Sequence, residues 1–155
     1  MLTREEVLAQ LTASPGLIEA ATRELTPERL STSPAAGEWS MVEVLAHLRS
    51  CADVWGAAIA RMIDEDEPTI RAVNPQTYID ETDYREQDFK RSLRAFTRQR
   101  TKLLALLSPA DWSRGSIVTG AGSPLSKSIL SYGQRMARHE RAHVNHIARF
   151  ARNQR

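Results

Sequence analysis

An all-α fold, a single four-helix bundle with crossover connections, is what this 155-residue chain predicts. Three observations point there. Long stretches repeat apolar residues every three or four positions, the period that lines them along one helix face. Capping residues stand at the heads of these stretches. The connections between them include two longer than antiparallel neighbours need. The length suits one core, so residues 1–155 read as one domain.

The first helix is expected from about Thr3 to Glu24, with Leu8, Leu11, Leu17, Ile18 and Ala21 on its stripe. Pro15 interrupts it, because proline lacks the N–H that bonds four residues back, so a kink or two consecutive pieces are expected. Thr26-Pro27-Glu28-Arg29 reads as a short helical turn, Thr26 capping and Pro27 in the first position. A Ser-, Pro- and Gly-rich loop, Ser31 to Glu38, precedes the second helix. That helix opens at Ser40 with a capping box, Ser40 and Glu43, and runs to about Ile63 on Leu45, Leu48, Ala52, Trp55, Ile59 and Met62. Asp64-Glu65-Asp66-Glu67 and Pro68 end it. Pro68 to Asp83 is long enough to cross the bundle. The third helix is expected from Arg85 to Leu107, with Phe89, Leu93, Phe96, Arg100, Leu103, Leu104 and Leu107 inward. Ser108-Pro109-Ala110-Asp111 starts another turn. Gly115 to Pro124 reads as a loop with Ile117-Val118-Thr119 extended, and the fourth helix as Leu125 to Arg152 with Ser126 or a neighbour as cap.

Composition narrows the function classes. A net charge of +2 gives no case for nucleic acid. The densest basic stretch, Lys90 to Arg100, alternates with apolar residues at helical spacing and reads as a solvated helix face. The single cysteine, Cys51, excludes an intramolecular disulfide. The N-terminus lacks a signal-peptide pattern, and no apolar run approaches the roughly 20 residues that span a bilayer. A cytoplasmic protein with no membrane or nucleic-acid partner is expected.

The informative cluster is histidine. Three of the four crowd into His139-Glu140-Arg141-Ala142-His143-Val144-Asn145-His146. Ile129, Tyr132, Met136, His139, His143, Ile147 and Phe150 step by three or four residues, so His139 and His143 occupy places where a bundle helix normally puts Leu or Ile. A buried imidazole needs partners for both nitrogens. A shared metal ion relieves two stacked rings at once; bonds to backbone or carboxylates are the plainer alternative. His47, in the second helix, would supply a third imidazole from a facing helix, and three protein ligands with an open position are the pattern of catalytic metal sites. Imidazole suits Zn²⁺, Ni²⁺, Fe²⁺ and Mn²⁺ without choosing among them. Cys51, one turn after His47, is within reach as a further donor, although small buried cysteines are common. Trp39, Trp55 and Trp112 read as packing residues, Trp39 as a staple before the cap.

His139-Glu140-Arg141-Ala142-His143 also spells H-E-x-x-H, which would make Glu140 a general base. The longer protease pattern fails: His146 stands where glycine belongs and Arg149 where the last histidine belongs. Glu140 therefore reads as a flanking or second-layer partner, with a base on bound water as the alternative.

Gly37-Glu38-Trp39-Ser40 followed by Glu43-Val44-Leu45-Ala46-His47-Leu48 resembles the second-helix motif of the DinB-like metalloprotein superfamily. His139 to Ile147 resembles that family's last-helix H-x-x-x-H motif, and Asp66-Glu67-Pro68, Tyr84 and Arg100 to Leu107 are similar to one branch of it. The resemblance implies a crossover four-helix bundle, often dimeric, holding one divalent metal on His47, His139 and His143. Relatives implied by the resemblance include thiol-dependent transferases and isomerases using bacillithiol, mycothiol or glutathione, and an open metal position would serve either hydrolysis or thiol transfer. His146 falls where many members carry glutamine, and Ser50, followed by Cys51 and Asp53, where many carry an acidic residue.

A metalloenzyme acting on a small molecule is the expected function; a non-catalytic bundle binding a metal or small ligand is the alternative. A homodimer is also expected, with an interface burying more than about 1,000 Å². Light scattering at micromolar concentration should return twice the chain mass; the mass of one 17.4 kDa chain counts against it.

Overall fold

The computed structural model describes residues 1–154. Four long helices build the bundle: α1 (Arg4–Thr22), α3 (Met41–Asp64), α5 (Phe89–Leu107) and α6 (Ile129–Arg152). Two short helices, α2 (Pro27–Ser31) and α4 (Pro75–Tyr78), lie in the connections. The all-α expectation needs one correction. Strands β1 (Thr69–Arg71), β2 (Gly115–Thr119) and β3 (Leu125–Ser128) form a small sheet, with β1 parallel and β3 antiparallel to β2. Thr69 lies opposite Ile117, and Gly115 opposite Ser128, so the sheet joins the two longest connections.

The caps set the helix starts. Ser40 and Glu43 form the expected box, Glu43 N donating to Ser40 Oγ at 3.2 Å and Ser40 N to Glu43 Oε1 at 3.1 Å. Thr26 caps α2 as expected. The third long helix begins at Phe89, not Arg85: Tyr84–Glu86 is a 3₁₀ turn and Asp88 is the cap. The fourth begins at Ile129, not Leu125, because Leu125–Ser128 pairs with β2; Ser128, not Ser126, is its cap.

α1 packs against α5 and α6, and so does α3. The segments that cross the bundle are therefore those from α1 to α3 and from α5 to α6. The long Pro68–Asp83 connection, expected to cross, instead joins neighbours α3 and α5. Leu11, Ile18, Leu45, Leu48, Ile59, Met62, Phe96, Leu107, Ile129, Met136 and Ile147 fill the centre. Each contributes about 1.5–3 kcal/mol relative to exposure. Gly133 lets α6 approach α1: a Cβ there would stand 3.1 Å from Val7 Cγ1 and 3.3 Å from Trp112.

Pro15 does not divide α1, which runs unbroken through it. Proline removes the N–H that would bond the carbonyl of Leu11. Arg100 supplies the missing donor, Nη1 to Leu11 O at 2.7 Å. The same guanidinium grips Glu140 of α6 with both terminal nitrogens, Nη1 to Oε1 at 2.8 Å and Nη2 to Oε2. The two side chains are only 2% and 4% exposed. One cation thus ties α1, α5 and α6. Removing one partner strands a buried charge, so Glu140→Ala should cost about 3–5 kcal/mol in urea unfolding; a loss below about 1 kcal/mol would contradict this account.

Candidate metal centre

α3 and α6 pack face to face, and the apolar stripe of each is interrupted by histidine at the same level. The three sequence-predicted residues meet there. His139 Nε2 stands 2.9 Å from His47 Nε2 and 3.2 Å from His143 Nε2. Ring centroids are 4.9 Å apart for His47–His139, 5.0 Å for His47–His143 and 4.6 Å for His139–His143. His146 lies outside this cluster, half-buried, near enough for its charge to bear on His143.

Hydrogen bonding does not account for this arrangement. A neutral imidazole carries one N–H, so His139 Nε2 cannot be a satisfied partner to two nitrogens unless the protons are shared in one particular pattern. His139 Nδ1 is buried without a protein partner. Its ring is therefore engaged only through Nε2. Two nitrogens each about 2.0–2.1 Å from one Zn²⁺ stand about 3.3 Å apart at a tetrahedral angle and about 2.9 Å at a right angle. The observed spacings fit that range, and the donor set fits a divalent ion.

Protonation favours the same role. Burial, then the neighbouring imidazoles, lower the pKa of His139 to about 4; burial, then His47 and His146, do the same for His143. Burial lowers His47 as well. All three rings are neutral at pH 7, the state a metal requires.

Cys51 is a second candidate donor. It is 3% exposed, and its Sγ lies 3.7 Å from His47 Nε2 and 4.0 Å from Nδ1. Donor atoms of His47, Cys51 and His139 all fall within 4.8 Å of one another. Two donor sets thus share His47 and His139, completed by His143 or by Cys51. His143 closes on His139, at 3.2 Å, and Cys51 on His47, at 3.7 Å. Charge separates them: the imidazole needs no deprotonation, whereas burial pushes the Cys51 thiol up to about 12.

Aromatic rings wall the cluster. Trp55 sets its edge toward His139, centroids 5.2 Å apart, and Arg135 lies over Trp55 at 4.9 Å. Trp39 is 38% exposed and tilts over His47 at 5.1 Å, so it flanks the site rather than only stapling the helix. Gln76, from α4, places its side-chain amide 3.4 Å from His47 Nδ1. Sequence reasoning missed Gln76. Asn74-Pro75 does mark a helix start, but nothing local tells how far the next side chain reaches. Of the connections Pro68–Asp83 and Gly115–Pro124, the first touches the cluster through Gln76. Among the described residues, no ring contact or hydrogen bond to these histidines comes from Gly115–Pro124.

The acidic candidates are engaged elsewhere. Glu140 is held by Arg100, which removes it as a base on bound water. Asp53 accepts from Tyr84 Oη at 2.6 Å, from Tyr78 Oη at 3.1 Å and from Gln99, anchoring the connection to α3. Ser50 bonds back to Ala46 O. A groove of about 590 Å³ lies among α1, α2 and α5 over Pro15, Leu30, Phe89 and Leu93 and contains none of the histidines.

A family model of the DinB superfamily matches residues 10–147. The chain belongs to the DinB superfamily. A Bacillus licheniformis protein provisionally named a metal-dependent hydrolase is 27% identical over 149 residues, covering 92% of this chain and 82% of that protein. YfiT from Bacillus subtilis, described as a probable metal-dependent hydrolase with an unusual four-helix bundle topology, superposes with a TM-score of 0.82 at 19% identity. That match covers 99% of this chain and 90% of YfiT and supports the fold. Among the described residues, no helix is long and apolar enough to cross a membrane.

The lowered histidines predict a pH dependence of the metal-free protein. From the ordinary value of 6.5 down to about 4, the unfolded chain takes up protons that folded His139 and His143 refuse. Stability should therefore fall with pH through that window and level off below it. Thermal melts of chelator-treated protein should show a shallower fall in His139→Phe; an identical slope would contradict the assignment.

Proposed function

We propose that this DinB-superfamily protein is a divalent-metal-dependent hydrolase whose ion is held by His47, His139 and His143. The observation that carries the reading is the convergence of three neutral imidazoles, His139 Nε2 lying 2.9 Å and 3.2 Å from its two neighbours. The names of the relatives support hydrolysis in particular.

When bound, a divalent ion supplies Lewis acidity, polarising a carbonyl or lowering the pKa of a coordinated water or thiol. The chain does the rest. His47 is delivered by the first turns of α3, His139 and His143 by successive turns of α6, so two rigid helices fix the donors. Trp39 and Trp55 exclude water from two sides of the rings. Arg135, exposed above Trp55, places positive charge beside the cluster. With Glu140 paired to Arg100, proton transfer falls to water or substrate rather than to a glutamate base. The same centre would accept a low-molecular-weight thiol, which is how a thiol transferase would use it.

A second reading, a non-catalytic metal-binding bundle, draws on Cys51. Its sulfur is the side chain able to close the coordination position that a substrate needs.

Protein purified without an affinity tag should hold about one divalent ion per chain. Saturating metal at about 100 times Kd should stabilise the wild type by about 2.7 kcal/mol, and His143→Ala should lose that gain. In a screen of ester, amide and thiol-transfer substrates, metal-loaded wild type should turn over and His143→Ala should fall to background. Undiminished activity in metal-free His143→Ala would overturn the mechanism. A loaded wild type inert to every substrate is the outcome of the non-catalytic reading.

A further inference from the structure

We infer that Gln76 is a positioning residue for the metal: its side-chain carbonyl accepts the Nδ1 hydrogen of His47 and so holds that ring with Nε2 toward the ion. The inference rests on the metal reading above.

His47 turns Nε2 to the cluster, 2.9 Å from His139 Nε2. Giving that lone pair to a cation leaves the ring hydrogen on Nδ1. A hydrogen there needs an acceptor, because His47 is buried. The groups recorded beside Nδ1 are Cys51 Sγ at 4.0 Å, a weak acceptor, and the amide of Gln76 at 3.4 Å. The carboxylates that could serve are occupied: Asp53 by two tyrosines and Gln99, Glu140 by Arg100. The hydroxyl of Ser50, three residues past His47, bonds Ala46 O. Gln76 is left as the acceptor.

An amide suits this position because it presents either a donor or an acceptor. Without metal, its NH₂ donates to a bare Nδ1, the orientation seen here. A half-turn of the amide exchanges nitrogen for oxygen and serves the metal-bound tautomer. The mount is firm. Asn74 Oδ1 accepts from Gln76 N at 2.9 Å, Tyr78 two residues on bonds Asp53 of α3, and Ile79 is buried. Arg49, also on α3, lies 3.7 Å over the ring of Tyr84, farther along the same connection.

The test is competition titration with Zn²⁺ on wild type, Gln76→Ala, Gln76→Leu and Gln76→Glu, with His47→Ala as reference. Loss of an outer partner of a metal-bound histidine costs about 10–100-fold in affinity. Gln76→Ala and Gln76→Leu should weaken Zn²⁺ by that factor, whereas Gln76→Glu, which keeps an acceptor, should bind as tightly as wild type or more tightly. In NMR the Gln76 side-chain NH₂ resonances should move on Zn²⁺ addition to wild type and stay fixed in His47→Ala. Affinity of Gln76→Ala within twofold of wild type would overturn the inference while leaving the metal site standing. So would equal losses in Gln76→Ala and Gln76→Glu, which would mark a packing role. A wild type that binds no Zn²⁺, or whose affinity survives His47→Ala, would overturn the metal reading itself.

Discussion

The buried grip of Arg100 on Glu140 is the contact on which the rest of the bundle depends. It sits where α1, α5 and α6 meet, and its third bond fills the gap that Pro15 opens in α1. Such a pair contributes little net stability once desolvation is counted, yet losing half of it is expensive. Its consequence is rotational. Glu140 directly follows His139, so holding Glu140 toward α1 and α5 turns the adjacent face of α6, with His139 and His143, toward α3. The same pairing withdraws the glutamate of H-E-x-x-H from water. A protease-like motif is thereby present in the letters and absent in the chemistry.

The centre follows from that rotation. Imidazoles placed in a bundle stripe lose solvation, and they respond by staying neutral and turning their nitrogens on one another. Neutral lone pairs converging from two rigid helices are costly to leave uncompensated, and a divalent ion is the partner we propose for them. The aromatic walls come from the same helices or just ahead of them, Trp39 before the cap of α3 and Trp55 two turns past His47. Among the described residues, the α3–α5 connection alone adds a polar group from outside the bundle, Gln76.

The stripes and the histidine spacing were legible because helical periodicity is local and repeats over many residues. The capping box at Ser40 and the cap at Thr26 were legible for the same reason. What escaped depends on distant partners. Three-residue β1 carries no alternation of its own and becomes a strand only by pairing with Thr119, Val118 and Ile117. Leu125–Ser128 extended the apparent helix until its own pairing excluded it. The fate of Pro15 turns on an arginine 85 positions away, and the role of Gln76 on the reach of a side chain from a four-residue helix. Connection length does not mark the crossing segments, because which helices touch is decided by how their faces match.

X-ray absorption on the Zn²⁺-loaded protein tests the central claim most directly, because it counts donors around the ion. Three imidazole ligands predict nitrogen scatterers at about 2.0–2.1 Å with the outer-shell pattern of three rings, and light-atom scattering alone in the remaining position. A sulfur scatterer at about 2.3 Å would put Cys51 on the metal and close the open position, and fewer than three imidazoles would contradict the histidine centre outright.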